Sequence, residues 1–138
     1  MTTNQDSTAF KSSSFWDYLG FKTLQFEKEN VVIELDIQEH HLNAINTLHG
    51  GVHAAMIDNI IGATINSVTK LPSTTINLSI NYFAPVETGI ITARANLLQI
   101  GYRIVTGEGV ITDSNGKIIA KGTGTFKILR PKNDSPNS

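Results

Sequence analysis

Residues Asn43 to Ile65 read NAINTLHGGVHAAMIDNIIGATI: a polar approach, a His49-Gly50-Gly51 step, then a long apolar segment. Val52, Ala54, Ala55, Met56, Ile57, Ile60, Ile61, Ala63 and Ile65 fall on every face at a helical period. The pattern predicts a helix buried all round, too short and too interrupted to span a membrane. One ionisable group stands in its middle, Asp58. Its neighbours one turn away are Ala54, Ala55, Ile61 and Gly62, three of them small. Burying a carboxylate is costly unless it is paired or put to use. Asp58 therefore demands a role.

Working outward, 138 residues make one domain with a single core. Its 11 basic and 12 acidic residues nearly cancel and are scattered, so no face is laid out for nucleic acid. The chain has no cysteine, which excludes disulfides, thiolate metal sites and a cysteine nucleophile. The opening MTTNQDSTAFKSSS is polar and has no apolar signal core, so the expected compartment is the cytoplasm, with no membrane partner. Residues 1–13 and 130–138 read as flexible tails around one domain, 14–129.

The flanking segments predict an antiparallel sheet. Ser14 as N-cap, Asp17 three residues on and Gly20 as stop frame a short helix. Its Phe15, Trp16, Tyr18 and Leu19 plug one end of the core. Val31, Ile33, Leu35 and Ile37 alternate with Val32, Glu34, Asp36 and Gln38 as a half-buried strand, paired with Phe21–Lys28. After the helix, Ile76, Leu78, Ile80 and Tyr82 share one strand face. Strands over Ile91–Leu97, Val105–Ile111 and Ile118–Ile128 follow.

In the last hairpin, Asn115-Gly116 predicts a two-residue type I′ turn. That register sets Gly109 opposite Gly122 and Gly107 opposite Gly124, whereas a three-residue loop would turn one strand's core set outward. Four glycines then make a bare patch on the inner face, where something must come close. The central helix is the candidate. A short helix, two strands, one long helix and four strands is an α+β arrangement, a sheet wrapped around a single helix.

The run Asn43-Ala-Ile-Asn-Thr-Leu-His49-Gly50-Gly51 followed by Asp58 resembles the hotdog-fold acyl-CoA thioesterases of the phenylacetate-pathway (4-hydroxybenzoyl-CoA thioesterase-like) type. The resemblance extends from about Val31 to Phe126 and includes Asn81-Tyr-Phe-Ala-Pro-Val86 and the closing Gly-Lys-Ile-Ile-Ala-Lys-Gly. Asn46 stands where that family commonly has glycine; asparagine tolerates the left-handed conformation best among other residues. The resemblance implies a hotdog fold and hydrolysis of a medium-chain or aromatic acyl-CoA. Coenzyme A is then part of the substrate, and neither cofactor nor metal is needed.

The residues support the same chemistry. A thioester carbonyl becomes an oxyanion when attacked, and the unpaired N–H groups of a helix's first turn can meet it. Gly50 and Gly51 allow that approach, although a glycine pair also serves merely to turn a chain. Asp58 would be nucleophile or general base, against the plainer reading of a structural carboxylate. It lies about 12 Å along the helix from Gly50, too far for one carbonyl to span. In the resembling family the site lies between subunits, which implies a homodimer or a dimer of dimers. The resemblance also assigns Asn43 to orient water or carbonyl, and His49 to hold the loop or the thioester. Thr75, with Thr74 one step away, would position the water, unless it reflects ordinary strand propensity. Gly51, Asn81 and Arg103 are assigned to substrate, Arg103 ahead of Arg94 and Lys121 for coenzyme A phosphates.

Three other readings compete. A hydratase on this fold would want an Asp and a His spaced on the helix to work on one enoyl chain, but His49 and His53 precede Asp58 and none follows it. His49 and His53 have i,i+4 spacing for a metal, but the HExxH glutamate is missing. A non-catalytic acyl-CoA or lipid-binding hotdog module would have no use for Asp58 and Asn43.

Overall fold

The computed structural model describes residues 13–131. Most of both predicted tails lies outside that range. Helix α1 (Ser14–Leu19), strands β1 (Lys22–Glu27) and β2 (Asn30–Asp36), helix α2 (Gly50–Thr69) and strands β3 (Ser73–Tyr82), β4 (Ile90–Ile100), β5 (Ile104–Thr112) and β6 (Ile118–Ile128) follow in order. The six strands form one antiparallel sheet in the order β1-β2-β4-β5-β6-β3, wrapped around α2. This is the hotdog architecture. Among the described residues no helix is long and apolar enough to cross a membrane.

The N-cap of α1 is Ser13, not Ser14: its hydroxyl accepts the Trp16 N–H at 3.1 Å, and Gly20 ends the helix at φ 90°. A run of serines offers several equivalent caps, so composition cannot choose among them. Trp16 and Leu19, three residues apart, are buried, while Phe15 and Tyr18 turn to solvent. Only half of the predicted plug enters the core.

The glycine register is as expected, Gly109 opposite Gly122 and Gly107 opposite Gly124, but its cause is different. Asp113 N–H donates to Lys117 O, and Gly116 alone takes positive φ, so the loop has three residues. Thr112 pairs with Ile118 and Ile111 with Ala120, leaving Ile119 as a bulge. That extra residue returns the inner faces to alignment and buries Ile119 and Ala120 together. A Cβ added at Gly107 would stand 2.8 Å from Ile61 Cγ2, and one at Gly109 3.1 Å from Ile60 Cγ2. At Gly122 it would meet Ser79 O at 2.8 Å and Ile57 Cγ2 at 3.1 Å. Gly124 makes room for Phe126 and Leu78 instead. Gly122→Val should therefore lower stability by about 1–3 kcal/mol through overpacking, read as a denaturant midpoint. A midpoint equal to wild type would mean the helix is not seated there.

The helix is not buried all round. Met56, Ile57, Ile60, Ile61 and Ile65 are closed off by the sheet, whereas Ala54, Ala55, Asp58, Asn59, Gly62 and Asn66 form a half-exposed stripe. A single sheet curls over one side of a helix and leaves the other. Apolar residues on that open stripe are small, which a count of apolar positions does not register.

Buried His41 ties α1 to the approach of α2. Its Nδ1 accepts the Gln38 N–H at 2.9 Å and its Nε2 donates to Leu19 O at 2.6 Å. Burial, with His40 beside it, lowers its pKa, and the Leu19 carbonyl and Asp36 offset this only in part. The unfolded chain then binds the proton more readily than the folded one, so this stability is present above the ordinary histidine value of about 6.5 and lost as pH falls below it. Urea midpoints should drop over that range, with a smaller slope in His41→Gln. An unchanged slope would exclude His41 as the acid-sensitive group.

Candidate active site

The loop before α2 is held by its own side chains. Asn43 Oδ1 accepts the Ile45 and Thr47 N–H groups, both at 3.0 Å, and its Nδ2 donates to Thr47 Oγ1 at 2.9 Å. Asn46 takes φ 65°, so the turn survives without glycine. A Leu42–Leu48 bridge closes the loop, and His49 N–H donates to His41 O at 2.9 Å. His49 thus arrives as the N-cap of α2, its Nδ1 accepting the Gly51 N–H at 2.7 Å. That bond spends the Gly51 donor. The Gly50 N–H, opening the helix, has no intrahelical acceptor and is the donor left for a carbonyl.

A cleft of about 450 Å³ lies at this end, lined by Asn43, Leu48, Gly50, His53, Tyr82, Phe83, Ala84 and Pro85. Tyr82 hydroxyl donates to Gly50 O at 3.0 Å, and its ring meets the His53 ring at 5.1 Å and 87°. In the sequence, Tyr82 shares a strand face with Ile76, Leu78 and Ile80, and His53 offers itself as a metal ligand but not as a cleft residue. Period-two alternation placed Tyr82 on the inner side but could not show that the strand there outruns the helix and opens into a cleft.

Asp58 is elsewhere. It lies two turns along the open stripe, half-buried, and accepts a hydrogen bond from Thr75 Oγ1 at 2.6 Å. A β-bulge at Ile76 makes this pair. Thr75 pairs with inward Phe126, while Leu78 pairs with inward Gly124, so the extra residue reverses the alternation. Strict alternation through Ile76, Leu78 and Ile80 would have turned Thr75 outward, and Ile76 is instead exposed. Bulges commonly re-aim a side chain in this way.

The structure therefore gathers Asn43, His49 and Gly50 at one place and Asp58 with Thr75 at another. Asn81 lies on the exposed side of β3 opposite Lys121, outside the cleft. Arg103 is exposed just before β5, at the sheet end where Thr74 and Ile104 both pair with Lys127. It is nearer Thr75 than the cleft.

A sheet wrapped on one helix, a bare N–H at the helix start and a carboxylate set deeper define a hotdog-type thioester hydrolase. Residues 45–120 match the family described as the thioesterase superfamily, and the chain belongs to it. Acyl-coenzyme A thioesterase 13 of Homo sapiens is 32% identical over 119 residues, covering 83% of this chain and 85% of that one. Among solved structures, phenylacetic acid degradation protein PaaI from Thermus thermophilus, in a variant form, is 27% identical with a TM-score of 0.78. The match covers 85% of this chain and all of that one. Conserved protein PA5202 from Pseudomonas aeruginosa is 26% identical with a TM-score of 0.82, over 86% of this chain and 95% of that one.

Proposed function

We propose that this protein hydrolyses medium-chain or aromatic acyl-CoA thioesters to the free acid and coenzyme A, in a site shared by two subunits and without a metal ion. The Thr75–Asp58 hydrogen bond carries the reading. It fixes one carboxylate oxygen and leaves the other on the open stripe of α2, able to work on a group brought by a second chain. The thioester carbonyl oxygen faces the Gly50 N–H and the positive end of the helix. Asp58 then either removes a proton from the attacking water or attacks the carbonyl carbon itself. In the first route the tetrahedral oxyanion collapses and expels the thiolate of coenzyme A. In the second, the thiolate leaves first and water opens the resulting anhydride. Asn43 keeps one amide N–H to orient water or carbonyl, and His49 Nε2–H is free for the thioester.

Several features support the two-subunit arrangement. Asp58 and Gly50 are about 12 Å apart along one rigid helix. The stripe between them carries Ala54 and Ala55, small enough for another chain to approach closely. Strand β3, which carries Thr75, is an edge of the sheet and among the described residues pairs only with β6. Exposed edges invite pairing with another chain.

The test is release of free thiol from aromatic and medium-chain acyl-CoAs by purified protein, against Asp58→Ala as control. Turnover in wild type that vanishes in Asp58→Ala is the expected result. Equal thiol release by both proteins would remove Asp58 from the mechanism, and binding without release would make this a carrier.

A further inference from the structure

We propose that His53 is a specificity-determining residue of the cleft, its Nε2 accepting a hydrogen bond from an N–H or O–H of the bound thioester. The inference rests on the hydrolase reading above and adds to it what the ligand must present.

His53 lies one turn into α2 and is 4% exposed. Its Nδ1 stands 3.1 Å from His49 O. A carbonyl only accepts, so Nδ1 carries the proton and Nε2 of the neutral ring is a bare acceptor. Desolvation lowers the pKa of the ring, more than the His49 carbonyl raises it, and the His49 ring lowers it further. Among the described residues, Nε2 of His53 is the one buried side-chain nitrogen or oxygen without a partner. Buried polar atoms left unpaired are rare and costly, and those that persist call for a reason.

No group of the surrounding wall is bonded to it. Leu48, Phe83, Ala84 and Pro85 are apolar, one Asn43 amide N–H goes to Thr47 Oγ1 while the other is the one that orients water or carbonyl, and the Tyr82 hydroxyl is given to Gly50 O. Tyr82 covers His53 with its ring, yet is 53% exposed and held by that single side-chain bond. Turning it outward uncovers Nε2 to the cleft. A ligand that fits has an apolar body and one donor. That donor has two possible sources, a hydroxyl or amine on the acyl group, or an amide N–H of the pantetheine arm.

Thiol release by the full chain separates them. Phenylacetyl- and hydroxyphenylacetyl-CoA, and octanoyl- and ω-hydroxyoctanoyl-CoA, are matched pairs differing by one hydroxyl. The same acyl groups on propanethiol lack the pantetheine amides. His53→Leu should cut kcat/KM about tenfold for donor-bearing thioesters, the worth of one hydrogen bond, chiefly through KM. His53→Gln, which keeps an acceptor, should recover part of it. A loss confined to hydroxylated acyl groups assigns the donor to the acyl chain. A loss shared by every CoA thioester, but missing on propanethiol, assigns it to pantetheine. An equal loss on all substrates and carriers, or none with an unchanged melting curve, overturns the proposal and leaves His53 with a bound water. If His53→Leu does not fold, His53→Met and His53→Gln read the same ratios. Wild type inactive on every thioester would instead overturn the hydrolase reading.

Discussion

Asp58→Asn is expected to lower kcat by about 10²–10⁴-fold, the usual contribution of a positioned acid–base group, while the melting temperature stays within a degree or two of wild type. The substitution preserves shape. An asparagine carbonyl can still accept the Thr75 hydroxyl, so the bond between α2 and β3 survives. Because Asp58 is half-exposed, little packing depends on its charge. What the amide cannot do is take a proton from water or attack a carbonyl carbon. KM should change little, since the carboxylate contributes to the transition state rather than to ground-state binding. Unchanged kcat with an intact melting curve would make Asp58 a structural carboxylate.

The order of elements, the inward faces of β5 and β6 and the glycine pairs were legible in the sequence, because each follows from a period or a parity. The bulges at Ile119 and Ile76 were not. At Ile119 the bulge corrected a three-residue loop, so a wrong turn type and a right register coexisted. At Ile76 it aimed Thr75 at Asp58, against the alternation of its own strand. A bulge is one residue out of step, and nothing in composition marks it. Exposure of Asp58 was hidden for another reason. Apolar residues on all sides of a helix show that it is covered, but not whether its own sheet or another surface covers it. Ala54, Ala55 and Gly62 beside Asp58 carried the clue, because small residues line a face meant for close approach.

The mixed-subunit experiment has the second large effect, from nearly nothing to a fixed fraction of wild type. Asp58→Ala and Gly50→Val should each be inactive alone. In the first, the carboxylate is gone. In the second, a Cβ would already reach the Tyr82 hydroxyl at 3.4 Å, and the valine methyl groups would crowd the cleft and screen the Gly50 N–H. If one site takes Gly50 from one chain and Asp58 from the other, a heterodimer holds one site with both lesions and one with neither. Random refolding places about half the chains in heterodimers, and half of their sites are intact, so about a quarter of wild-type activity per site should return. Single-chain sites predict none, since every site in every dimer would keep one lesion. A dimer of dimers gives the same fraction if the sites within it act independently. Native mass spectrometry must show the heterodimers in the same sample. Heterodimers without recovered turnover would rule out Gly50 and Asp58 acting on one carbonyl across two chains, and would send the search for a catalytic acid elsewhere.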